Sequence, residues 1–428
     1  MKRVVCAVLV LVLGMALTMA SGCVKKSSKV TLKLMGWGGI EETQIIQKAI
    51  ADFNKVHPEV AVEIVRVPFN EYITKVLTQF AGNMAPDVMA INAEQVPSFT
   101  ERGLLVDLKP YLDKDPSVKL KDFYPEAVNQ YTVEGQIIAL PRDIAPINVI
   151  YYNRKKFDEA KLPYPKDSWN RAEFLETAKK LTLRDEKGKT TQWGFLDDWP
   201  IWEAWVLSGG GKVVDNVANP TRCTLDSAAA VEGLQFRADL MYLHKVMPSP
   251  SGITAMGGLG NSDFFTNGSL AMFHSGIWKT PGFRLIKDFV WDVVEFPKGP
   301  MGVRGFPMSA AGYGVVKSTK NADLSYELVK FLAGEVGQRY MAATGLTQPA
   351  LKTLAKSPAF LDDQDPKSKQ FLVECVKDGT FGAADSRRDE WLSIIGAALD
   401  RVWSGDKKAV EVLPEVVRAV NKKFFPKQ

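Results

Sequence analysis

Cysteine is scarce in this 428-residue chain, which has four: Cys6, Cys23, Cys223 and Cys375. Histidine is scarcer still: His57, His244 and His274 lie far apart. So few soft ligands leave little material for a zinc or related metal centre, and neither metal nor cofactor is expected. An excess of one charge is also missing, with 54 Lys and Arg against 49 Asp and Glu. That balance argues against a nucleic-acid partner, which would need a concentrated basic face. Beyond the N-terminal stretch no apolar run reaches the ~18 residues of a membrane span. Low-complexity segments and internal repeats are absent after Lys29, so no linker separates independent domains. There is no Gly-x-Ser-x-Gly elbow, no phosphate-binding P-loop and no His-Glu-x-x-His. What remains is a globular composition, 46% hydrophobic and 24% charged, long enough for two or three domains and a large core.

The N-terminus has a pattern of its own. Met1-Lys2-Arg3 is basic, and Val4 to Met19 is apolar apart from Gly14 and Thr18. This reads as a secretory signal peptide over residues 1–22. Its end, Ala20-Ser21-Gly22-Cys23, resembles the lipobox of bacterial lipoproteins. The resemblance implies cleavage before Cys23, lipidation of its sulfur (palmitate or a similar chain) and a basic tether over residues 23–29. Two or three acyl chains anchor stably, because each buried methylene contributes ~0.8 kcal/mol. Cys223 and Cys375 then remain, and the sequence leaves open whether they are bonded.

Alternation in Val30 to Met35 predicts a strand running into Gly36-Trp37-Gly38-Gly39. Ile45, Ile46, Ala49, Ile50 and Phe53 predict a helix over 41–56, stopped by His57-Pro58. A strand over Val60 to Val67, a helix over Tyr72 to Ala81 and a strand over Pro86 to Ile91 follow. Strands alternating with helices imply mainly parallel sheets covered by helices. Ligands of such sheets sit at the carboxyl ends of the strands. Beyond Leu162 the chain is more helical, with helices expected over 171–181, 228–242, 322–332, 335–344 and 389–403. Asp167 or Ser168 is the expected cap of the first of these.

Several segments, in order, resemble one family. They include Phe69-Asn70-Glu71-Tyr72, Gly82 to Val88, Gly103 to Leu108, Gly135 to Pro141, Asn148 to Phe157, Phe264 to Trp278 and Trp403-Ser404-Gly405. The chain resembles the maltose-binding type of extracellular solute-binding proteins over nearly all of residues 30–425. The resemblance implies an α/β fold of two lobes, the type II periplasmic-binding-protein architecture, with strand crossings as hinge and a ligand cleft between. Crossings are expected near 141–146, 271–278 and 312–316. Residues 30–142 and 270–315 would form the first lobe, and 143–269 and 316–428 the second. The implied function is capture of a mono- or oligosaccharide and its delivery to the membrane-spanning permease subunits of an ABC importer. The protein would act as a monomer, held by its lipid on the cell membrane and facing the periplasm or exterior. A polyamine or glycerol phosphodiester binder is the alternative, and an exported glycoside hydrolase a more distant one.

Sugars need planar polar groups for their hydroxyls and flat apolar surface for their C–H faces. The chain has 10 Trp. Trp278, after Ala271-Met272 and Gly276, matches the family's stacking tryptophan. Trp37 ends the first strand beside two glycines. Asn92, Glu94 and, more weakly, Gln95 follow the third strand, and Asp143 lies in the first crossing. Asp198 and Trp199 match the polar and aromatic groups of the second lobe, while Trp205 reads as core. Arg387 is taken for the loop before Trp391, although Arg388 competes with it. Asp87 reads as a loop brace. His274 stays open between ligand donor and satisfied hinge histidine, and one of Glu41 and Glu42 reads as a solvated first-turn carboxylate.

Overall fold

The computed structural model describes residues 29–257 and 260–426. The expected lipidation site Cys23 lies outside the described residues.

The first sheet is built on strand Val30–Trp37, which pairs in parallel with Val60–Val67 and Val88–Asn92. The helix Ile40–Val56 covers it with the five residues that the periodicity picked out, all buried. Its C-cap N–H, on His57, returns to Phe53 O, and Pro58 prevents continuation. Helices Tyr72–Ala81, Arg171–Leu181 and Ala228–Tyr242 fall as expected. The cap of the second of these is Asn170, neither Asp167 nor Ser168. Asn170 accepts from Ala172 N and Glu173 N, and Glu173 accepts from Asn170 N. Asparagine sits closer to the first turn and makes both bonds of the capping box.

The second sheet is ordered Trp291–Glu295, Val149–Asn153, Leu270–Ser275, Thr190–Asp197, Leu183–Arg184. Only Thr190–Asp197 and Leu270–Ser275 are parallel in it; the other three pairings are antiparallel. In the first sheet Ala311–Val315 likewise runs antiparallel to Val88–Asn92. Both sheets are thus mixed, where mainly parallel ones were expected. A parallel neighbour needs a βαβ crossover within one lobe. Val149–Asn153 and Ala311–Val315 arrive from the other lobe and enter in the opposite sense.

A small third sheet joins the lobes, ordered Gln348–Pro349, Asp143–Pro146, Phe306–Ser309, Gly379–Phe381. The chain crosses through it near 142–147, 305–311 and 345–351. The crossings expected near 271–278 and 312–316 are therefore corrected, the latter because Ala311–Val315 is buried within the first sheet, and with them two lobe assignments. All six residues of Leu270–Ser275 are buried inside the second sheet, so residues 270–305 go with the second lobe. Helices Ala322–Ala333 and Glu335–Ala343 bury Tyr326, Leu328, Val329, Leu332 and Met341 against the first lobe, so residues 316–345 go there. The closing helices Arg388–Trp403 and Ala409–Phe424 pack on Ala228–Tyr242.

Candidate functional site

A cleft of about 1570 Å3 lies between the two sheets. Trp37 and Asn92 end their strands there, and Asp198 directly follows Asp197 at the end of another. Carboxyl ends of strands from both lobes thus face one space.

Trp37 forms the aromatic part of the first wall, edge-on to Phe69 at 5.7 Å and Tyr72 at 5.0 Å between ring centres. Gly38 holds φ +123°, a conformation natural only to glycine, and a Cβ there would strike the Glu42 carboxylate. Glu42 accepts from Arg142 Nη2 at 2.8 Å. Arg142 also donates from Nε to Asp143 at 3.2 Å and from Nη1 to the Tyr313 hydroxyl at 3.1 Å. Asp143 accepts a further bond from Ala311 N at 2.8 Å. Burial pushes its carboxyl up to about 6, against the pull of Arg142 and the Ala311 N–H. Asp143 thus lies on the cleft floor with both oxygens already engaged. Glu42 is ion-paired, and Glu41 is the exposed one of that pair.

Asn92 and Glu94 line the same wall. Gln95 Oε1 accepts the Asn92 N–H, and the Ser309 hydroxyl donates to Glu94 at 3.1 Å. Asp87 braces its loop by accepting from Lys33 N and the Thr319 hydroxyl.

On the second wall Asp198 accepts from the Ser275 hydroxyl and pairs with the Lys279 ammonium, both at 2.9 Å. Trp199 and Trp278 stack nearly parallel, 20° apart with centres at 6.0 Å. Trp278 folds back over its own chain, so a Cβ on Gly276 would lie 1.9 Å from the indole. Glycine is required there by close approach and not by φ. Asp197 turns the other way and is buried between Arg237 and His274. His274 is fully buried, also meets Ile147 O, and does not line the cleft. Trp202 and Trp205 are buried, and Trp205 is core as read.

Seven of the eight sequence-derived candidates line this one cleft: Trp37, Asn92, Glu94, Asp143, Asp198, Trp199 and Trp278. Arg387 does not, and that expectation is corrected. Its guanidinium donates to Phe424 O and lies over the Phe424 ring, drawn off by the closing helix. Arg388 takes its place on the cleft, with Nε buried and unpartnered. Sequence reasoning missed Glu203, in the first turn of helix Trp202–Ser208. Burial raises its carboxyl pKa; Arg388 pulls it down, and Glu94 across the cleft pushes it up. No described residue donates a side-chain hydrogen bond to it. A lone carboxylate among Trp199, Trp202 and Trp205 was the available signal. Both remaining cysteines are buried and unbonded.

The sequence profile described as "Bacterial extracellular solute-binding protein" matches residues 37–339. The chain belongs to that family. This solute-binding protein is 26% identical over 376 residues to a galactooligosaccharide-binding protein of Bacillus subtilis, covering 84% of this chain and 83% of that one. It is 22% identical over 341 residues to an arabinooligosaccharide-binding protein of Halalkalibacterium halodurans, covering 76% and 72%. Its fold is similar to an ABC substrate-binding protein of Listeria monocytogenes in complex with cycloalternan. There the TM-score is 0.84 at 24% identity, over 93% of this chain and 100% of the other. Like these relatives, the chain is a solute-binding protein and not an enzyme.

Proposed function

We propose that the protein captures an oligosaccharide between its lobes and passes it to the permease subunits of an ABC importer. The observation that carries this reading is the pair of near-parallel indoles, Trp199 and Trp278, facing the space that Trp37 borders from the other wall. Aromatic faces on both walls suit sugar C–H surfaces. Asn92, Glu94, Asp198, Glu203 and Arg388 supply planar acceptors and donors beside them. The cleft exceeds the ~300–1,000 Å3 usual for one small ligand, which favours several rings over one. The relatives named for oligosaccharides point the same way.

A thermal-shift screen against galactotriose, arabinotriose, maltotriose and mannotriose tests the reading, with titration calorimetry on each hit. A bound sugar should stabilise by about 2.7 kcal/mol at a hundredfold excess over Kd. One observation favours a polyamine instead. Arg142 and Lys279 are held by carboxylates, while Glu41, Glu94 and Glu203 form no ion pair among the described residues. Spermidine and glycerol phosphate therefore belong in the screen. Saturable binding of spermidine alone would replace the sugar reading.

The finer statements on location rest on the N-terminal pattern. None of the described helices is long and apolar enough to cross a membrane. Lipidated Cys23 would hold the protein as a monomer with its lobes facing the periplasm or exterior, and intact mass of the membrane fraction tests the lipidation. The expected species starts at Cys23 and carries acyl mass. An unlipidated start elsewhere would remove the anchor.

A further inference from the structure

We propose that Arg142 is the positioning residue of the first cleft wall, holding the Trp37 ring and the Glu42 carboxylate and tying both to the crossings. The inference rests on the reading that Trp37 faces the ligand.

Arg142 is 3% exposed, so little of its side chain can be offered to a solute. Its guanidinium is instead divided among protein groups. One edge meets Glu42 and Tyr313, and Nε meets Asp143. Its carbon centre lies 5.4 Å from the Trp37 ring centre and 5.5 Å from that of Tyr313. Phe69 and Tyr72 meet the Trp37 ring edge-on, and the cation is a further neighbour. Trp37 and Glu42 flank the turn from first strand to first helix. Arg142 and Asp143 open the first crossing, while Ala311 and Tyr313 follow the second. Asp143 closes the link by accepting from Ala311 N. The orientation of Trp37 is thus coupled to the two chain segments that join the lobes. Lysine could not replace this arrangement. A single ammonium lacks the planar fork that serves three acceptors while presenting a face to an indole.

The test uses the full mature protein labelled with 5-fluorotryptophan, without ligand. The Trp37 resonance is assigned from Trp37→Phe and the Trp278 resonance from Trp278→Phe. Arg142→Lys should shift and broaden the Trp37 resonance and leave that of Trp278 in place. An unmoved Trp37 resonance overturns the proposal. Affinity for the tightest of the four trisaccharides gives a second readout. Arg142→Lys should weaken it about tenfold in the native background, yet less than about threefold where Trp37→Ala and Glu42→Gln are already present. Equal losses in both backgrounds overturn the proposal too. Should Arg142→Lys fail to give a cooperative unfolding curve, Glu42→Gln takes its place in the resonance test, with the same displacement of Trp37 expected. If no trisaccharide binds, the functional reading fails, and the fluorine spectrum still decides the role of Arg142.

Discussion

Trp278 and Gly276 act as one unit, because the indole occupies the space a side chain at 276 would need. An aromatic contact of this kind contributes ~0.5–1.5 kcal/mol beyond burial. Trp278→Ala should therefore weaken sugar binding by about tenfold to a few hundredfold, and Trp278→Phe should keep part of it. Gly276→Ala should lose affinity on a similar scale, because its methyl group displaces an unchanged ring. Titration calorimetry beside unfolding curves measures all three, and an unaffected Gly276→Ala would show that the ring does not need its present position. The two adjacent arginines should part company in the same assay. Arg387→Ala should leave affinity within about twofold. Arg388→Ala should weaken it by about ten- to a hundredfold, the range of a lost charge-assisted hydrogen bond.

Among the elements, the first crossing strand and the edge strand of the second sheet each carry a buried carboxylate. Asp143 opens one crossing strand with its carboxyl pushed to about 6 by burial. Glu295, at the end of the strand leading into another crossing, is pushed to about 7, again chiefly by burial and against Arg304. Both native values lie above those of the unfolded chain, so between about pH 4 and 7 the native state binds more protons. Stability is therefore greatest below that window with respect to these two groups, and falls as pH rises through it. Denaturant unfolding of the native chain and of Asp143→Asn at pH 5 and pH 8 checks the sign. The variant should show the smaller difference between the two pH values, because an amide cannot ionise.

At the scale of the whole molecule, three short strands in one small sheet are the backbone route between two lobes. Few torsions need change for the lobes to swing, the arrangement of hinge closure. Small-angle scattering should show a smaller radius of gyration with saturating trisaccharide than without. An unchanged radius with a proven ligand would mark a preclosed cleft.

The sequence by itself determined the local elements. The helix Ile40–Val56 and strands Val30–Trp37 and Val60–Val67 follow from apolar spacing, which acts within a few residues. It also brought out seven residues of the cleft, through motifs at strand ends. Tertiary structure decided what depends on partners distant in the chain. Leu270–Ser275 reads as an apolar strand in either lobe, and its pairing with Val149–Asn153 and Thr190–Asp197 alone assigns it. Arg387 and Arg388 are indistinguishable as letters. They separate because Phe424, 37 residues on, captures the first. Arg142 is one more charged residue in the sequence, and it acquires its role only where Trp37, Glu42, Asp143 and Tyr313 converge, since a buried guanidinium is stable only where acceptors from several segments meet.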